Sequence, residues 1–158
     1  MISVYVETSF FSACVTDRGD PQSIVWRDTS RRWWQTHRRR FDLCISEEVI
    51  AELSAPGFMH GPEALEMLAG LKIAKLSPEV QGLASLLVKE KVMPAPSTSG
   101  DAIHVAAATL YATDYLLGWN VKTSGQYQQT RASCQNMPAA RGGPAANRYS
   151  GFTLGASR

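Results

Sequence analysis

The chain has 158 residues, 44% of them hydrophobic and 19% charged, which suits one compact domain with a core of its own and excludes architectures of about 250 residues such as a complete TIM barrel. Its net charge of +2 conceals a division, because residues 1–120 carry eleven Lys or Arg against all fourteen acids, a net of −3, while residues 121–158 carry five basic residues and no acid. No run approaches the roughly 18 to 20 continuous apolar residues that span a bilayer, and no basic segment precedes the first apolar run, so neither a membrane protein nor a cleaved leader is expected and the cytoplasm is the default location.

Residues 2–6 are short, apolar and β-rich, as in a buried first strand, and they deliver the chain to Glu7, Thr8 and Ser9. Asp20 and Pro21 read as a helix cap and first-turn proline, opening a helix to about Arg39 that ends in a basic cluster of Arg31, Arg32, Arg38, Arg39 and Arg40 around Trp33 and Trp34. These arginines can be phosphate contacts beside rings that either pack or meet an unpaired base, or simply a solvated basic face over buried tryptophans. Cys14, Cys44 and Cys134 form neither pairs nor a CxxC element, which points to a reducing compartment and away from a soft-metal site. Cys44 itself reads as a core thiol.

A second strand over 41–45 leads to Ser46, the expected cap of a helix in which Val49, Ile50 and Leu53 face the core and Glu48 and Glu52 share another side. Helix is next expected over 62–70, strand over 71–76, and helix again from Pro78 to about Lys91 after Ser77. The loop 93–100 follows, and Thr98 and Asp101 have the spacing of a capping box that would start a helix with the apolar stripe Ile103, Ala106, Ala107, Leu110 and Tyr111. A last strand over 115–119 runs into Asn120. This alternation predicts a three-layer α/β/α fold on a mainly parallel sheet, with functional side chains at the carboxyl ends of the strands. No glycine-rich phosphate or dinucleotide fingerprint follows a predicted strand.

Acids recur at such places: Glu7 at a strand end, Glu48 and Glu52 on a helix, Asp101 in a later first turn. Each alone is explained by a solvated helix face or by capping, but together they make an oxygen-rich set suited to magnesium or manganese and to phosphodiester cleavage. His104, His37 and His60 carry no metal-ligand spacing and are left out of the chemistry.

The strings VYVETSFFSA, SEEVIAELS and SGDAIHVAAATLYATDYLLGWN, in that order over residues 2–120, resemble the PIN-domain ribonucleases, especially those related to VapC toxins of bacterial toxin–antitoxin pairs. The resemblance implies a PIN-like nuclease domain over 1–120, with Glu7, Glu52 and Asp101 as ligands of Mg2+ or Mn2+. Glu7 stands where Asp is common, and Glu52 matches the second carboxylate better than Glu47 or Glu48. Asn120 stands where relatives often have Asp, so it can position a ligand or water without contributing charge. Asp114 is expected to cap the turn before the last strand. An RNA substrate, an antitoxin protein that inserts a basic group into the acidic cleft, and a homodimer are the implied partners.

After Asn120 the pattern stops: Val121 and Leu154 are the only members of the Leu, Ile and Val group in the last 38 residues, too little apolar side chain to offset ordering. The tail 121–158 is therefore read as disordered, or as a frameshift, since one codon choice for TSGQYQ shifted by a base encodes His-Leu-Ala-Asn-Thr, which looks like the family's continuation. Two functions result: a metal-dependent RNA endonuclease, or a PIN-like nucleic-acid-binding or protein-interaction module with weakened or lost catalysis.

Overall fold

The computed structural model describes residues 1–119; Asn120 and the tail, with the expectations placed on them, lie outside the described residues. Eleven elements alternate along the described chain. They are β1 (Ser3–Val6), α1 (Thr8–Val15), α2 (Pro21–His37), a 3-10 turn (Arg38–Arg40), β2 (Asp42–Ser46), α3 (Glu47–Leu53), α4 (Gly61–Glu66), β3 (Lys72–Ala74), α5 (Pro78–Lys89), α6 (Asp101–Leu110) and β4 (Tyr115–Leu117).

All strand pairs are parallel and the sheet order is β3-β2-β1-β4. The chain steps from β1 to β2 to β3 in one direction and then crosses back to the far side of β1. Helices α1 to α4 belong to the outward steps and α5 and α6 to the return, and within each group the helices pack on one another. The result is the three-layer α/β/α arrangement that the alternation predicts. The reversal makes the carboxyl end of β1 a switch point, the place where open α/β sheets generally bind their ligands.

Val4, Tyr5 and Val6 of β1 are fully buried, as expected for a strand covered on both faces. Phe10 and Phe11 on α1 lie against the rings of Trp33 and Trp34 on α2, with centroids 5.4 to 6.0 Å apart. Helix α1 is an element the sequence reading does not assign.

Caps explain where several helices begin. Asp20 accepts the Ser23 N–H at 2.9 Å at the start of α2, and Ser77 accepts the Val80 N–H at 3.4 Å at the start of α5. Ser46 stands at the N-cap of α3 as expected, yet its hydroxyl makes no cap and lies 2.7 Å from the Tyr5 hydroxyl instead. The capping box at Thr98 is also corrected. Gly100, at φ 71°, is the N-cap of α6, and its N–H donates to Glu48 Oε1 at 2.7 Å. In a capping box that return bond comes from the third residue of the same helix; here another helix supplies it.

Candidate active site

Glu7 leaves β1 directly into the N-cap position of α1 and is buried, although it is charged in water. Its backbone N–H donates to the Leu117 carbonyl at 3.0 Å, so the end of β4 fixes its place. The Ser9 hydroxyl donates to Glu7 Oε1 and also accepts the Trp119 N–H at 2.6 Å. A buried carboxylate has to find such partners, since desolvation without them costs several kcal/mol or more. Gly118 completes the cradle: a Cβ there would fall 1.9 Å from Glu7 Oε1. Only glycine lets the β4 exit lie against this carboxylate.

Glu52 approaches from the last turn of α3. Its Oε2 accepts from the Thr8 hydroxyl and lies 2.9 Å from His104 Nε2. His104, on α6, is only 2% exposed. Its Nδ1 lies 2.8 Å from the Tyr5 hydroxyl, which meets Ser46 Oγ at 2.7 Å. A chain of buried polar groups therefore runs from the middle of the sheet to Glu52. When the imidazole is charged, Nε2–H donates to Glu52 and Nδ1–H to Tyr5, which passes its own proton toward Ser46.

The electrostatics of this chain are mutually consistent. Burial opposes a charge on His104, but the hydrogen bond to Glu52 and the charges of Glu7, Glu52 and Glu48 outweigh it and raise the imidazole above its ordinary range. Burial likewise opposes ionisation of Glu52, and it is outweighed by the hydrogen bond and charge of His104 and by the Thr8 hydroxyl, so Glu52 falls below the usual carboxylate value. Burial, with the charges of Glu7 and Glu52 adding to it, raises Tyr5 and keeps its phenol protonated. Glu7 and Glu52 thus act on the same two buried groups, His104 and Tyr5.

Asp101 is the first residue of α6, half-buried, directly after Gly100. A Cβ at Gly100 would lie 3.9 Å from Glu52 Oε1, so this helix start borders the Glu52 carboxylate. Glu48 is buried on the Gly100 amide, a bond that holds α6 in place. Asp114 accepts from the Ser3 N–H and hydroxyl, both at 2.8 Å, at the amino end of β1 and away from these acids, in keeping with an orienting role before β4.

Carboxylates are the right kind of donor for a hard divalent ion. Their positions do not close around one: among the described residues no group of three or more His, Cys, Asp or Glu side chains is arranged to hold a metal ion. Glu7 and Glu52 are instead engaged by Ser9, Thr8 and His104.

Two sequence-based readings of neighbouring groups change. His104, left out of the chemistry, is the group that orients Glu52; a histidine three residues after Asp101 in a predicted helix was the available signal. Trp33 is 3% exposed, stacked on Phe41 and His37, and Trp34 lies under the Arg38 guanidinium at 5.3 Å. The packing alternative holds for Trp33. Arg38–Arg40 directly precede β2, whose first residue pairs with Ser3, so they sit at the amino edge of the sheet, opposite Glu7. They do not border the acids. Cys44 is half-buried and free, its thiol pushed up to about 11 by burial and then by Asp42.

No family model and no curated protein matches the sequence. Among solved structures, the chain is similar to VapC20 of Mycobacterium tuberculosis, described as a sarcin-ricin loop cleaving toxin, at 16% identity and a TM-score of 0.56, over 75% of this chain and 91% of that one. It also matches VapBC2 from Rickettsia felis bound to a DNA fragment from its promoter, at 15% identity and a TM-score of 0.49, over 77% and 90% of the two chains. The likeness to VapC20, at that identity, is one of fold alone.

Proposed function

We propose that the chain is a divalent-metal-dependent RNA endonuclease, the toxin of a toxin–antitoxin pair. The observation that carries this reading is the convergence of Glu7 and Glu52 at the switch point of a PIN-type fold, with the Asp101 helix start beside Glu52. In this reading Glu7, Glu52 and Asp101 supply the oxygens for Mg2+ or Mn2+, and Asn120, which lies outside the described residues, is the neutral partner that the family resemblance implies. Such an ion supplies positive charge at an attacked phosphate. The protein's own groups do the rest: Ser9 and Gly118 hold the Glu7 carboxylate in one orientation, while His104 and Thr8 hold Glu52. VapC20, which has this fold, is described as cleaving the sarcin-ricin loop, and that makes RNA the substrate class to test. An antitoxin with a basic group fits an acidic site of this kind, and a homodimer is the proposed assembly.

The absence of a three-ligand group among the described residues favours a second reading, a PIN-like nucleic-acid-binding or interaction module whose catalysis is weakened. Incubating the full chain with a mixed RNA panel, with Mg2+, Mn2+ or a chelator, separates the two. The nuclease reading expects divalent-dependent cleavage that Asp101→Ala lowers by about a hundredfold or more, on the scale of losing a group that acts in the transition state. RNA binding without cleavage by folded parent protein assigns the chain to the module.

A further inference from the structure

The four tryptophans are not equivalent. Trp33 and Trp34 belong to the aromatic core, but Trp26 and Trp119 form a separate stacked pair, with ring centroids 5.2 Å apart and planes 17° from parallel, and both are partly exposed. Trp119 is tied at two points: its indole Nε1–H donates to Ser30 Oγ at 2.6 Å and its backbone N–H to Ser9 Oγ at 2.6 Å. Ser9 is also the donor to Glu7, and Gly118 packs on the same carboxylate. One hydroxyl thus joins the aromatic pair to the buried acid at the switch point.

We propose that Trp26 and Trp119 form a stacking ledge for an unpaired base of single-stranded RNA, beside the acid site that Glu7 belongs to. The inference rests on the reading of that acid site as an RNA site and names the form of RNA it takes. Flat aromatic faces hold any base through its π-surface, while sequence-specific RNA recognition relies on bases splayed out of a helix. Holding Trp119 at two points before the ligand arrives removes ordering cost from binding. A duplex keeps its bases stacked on each other and presents none to the ledge.

The test is a double-mutant cycle on the full-length chain, with affinity for short fluorescent single-stranded RNAs read by anisotropy. One partner in the cycle is Trp26→Ala; the other is an abasic position scanned along the RNA. An Asp101→Ala background prevents turnover. The expected result is a loss of roughly 5- to 150-fold for Trp26→Ala on intact RNA, little loss on the RNA lacking the base at one particular position, and recovery with Trp26→Phe, which keeps a flat ring. Duplex RNA of the same composition should bind more weakly and be indifferent to Trp26. Equal losses on intact and abasic RNA, an unaltered affinity, or no binding of single-stranded RNA by folded protein would each overturn the ledge. Cleavage by the parent chain is scored separately. Cleavage without base-dependent binding removes the ledge and leaves the nuclease, whereas base-dependent binding without cleavage removes the nuclease and leaves the ledge.

Discussion

Glu52 and His104 meet in a pair whose members shift in opposite directions, and this makes a pH prediction. Glu52 lies below its ordinary 4.5, so its contribution to stability is present above that pH and is lost as pH falls through the lowered value. His104 lies above its ordinary 6.5, so its contribution is present below that pH and is lost as pH rises through the raised value. Both contributions coexist between about 4.5 and 6.5. The difference in melting temperature between the parent and Glu52→Gln should therefore be largest in that window and shrink on either side; a difference that does not vary with pH would mean that the pair does not exist in solution. Gly118→Ala is a second case at this scale. A methyl group placed 1.9 Å from Glu7 Oε1 has to displace the carboxylate or the β4 exit, so destabilisation of about 1–3 kcal/mol is expected in urea unfolding, together with loss of RNA cleavage. Unchanged stability and activity would show that Gly118 and Glu7 are not in contact. Glu7 stands out in the sequence because a charge at the end of an apolar strand needs an explanation, whereas Glu52 and Asp101 stand out from other helix acids only through the resemblance to PIN domains. His104 and Gly118 do not stand out, because a lone histidine and a lone glycine have many ordinary roles and only the fold shows what each touches.

At the scale of elements, the proline-led starts of α2 and α5 were read directly, since Asp20-Pro21 and Ser77-Pro78 put a side-chain acceptor and a preset φ where a helix begins. Helix α1 was missed. It is eight residues long and rich in Phe, Thr, Ser and Cys, with low intrinsic helix propensity, and it forms because Phe10 and Phe11 bury against α2. Tertiary packing decides its conformation, and packing is not local information. The start of α6 failed for a related reason, because its cap partner is Glu48, 52 positions away. The aromatic cluster yields a prediction that separates the two sequence readings of Trp33. Its ring is surrounded by Phe10, Phe41 and His37, so Trp33→Ala should cost about 3–5 kcal/mol in chemical denaturation, while RNA affinity per folded molecule stays at the parental value. A specific loss of RNA affinity with stability intact would return Trp33 to the role of a base contact.

For the whole molecule, the strand order follows from no local signal, yet it determines where everything functional lies. Because β4 returns to the far side of β1, the first acid becomes a central residue, flanked by the β4 exit on one side and the α3 helix on the other. The same topology separates Arg38–Arg40 from the acids by the length of the sheet, a separation that clustering along the chain conceals. The fold class was legible from the alternation of periods, and the resemblance to PIN domains agrees with the likeness of the structure to VapC20. Among the described residues the Glu7 carboxylate is engaged by the Ser9 hydroxyl and that of Glu52 by the Thr8 hydroxyl and the His104 imidazole, and no group of three or more His, Cys, Asp or Glu is arranged to hold a metal ion.

The most direct test of the acidic site is therefore calorimetric titration of the full-length chain with Mn2+, parent beside Glu7→Gln and Asp101→Ala, with circular dichroism to establish that each variant is folded. The account predicts saturable binding by the parent that weakens by about tenfold or more in both variants, the scale on which even residues supporting metal ligands are felt. Binding that is absent from the folded parent, or equal in all three proteins, would contradict it.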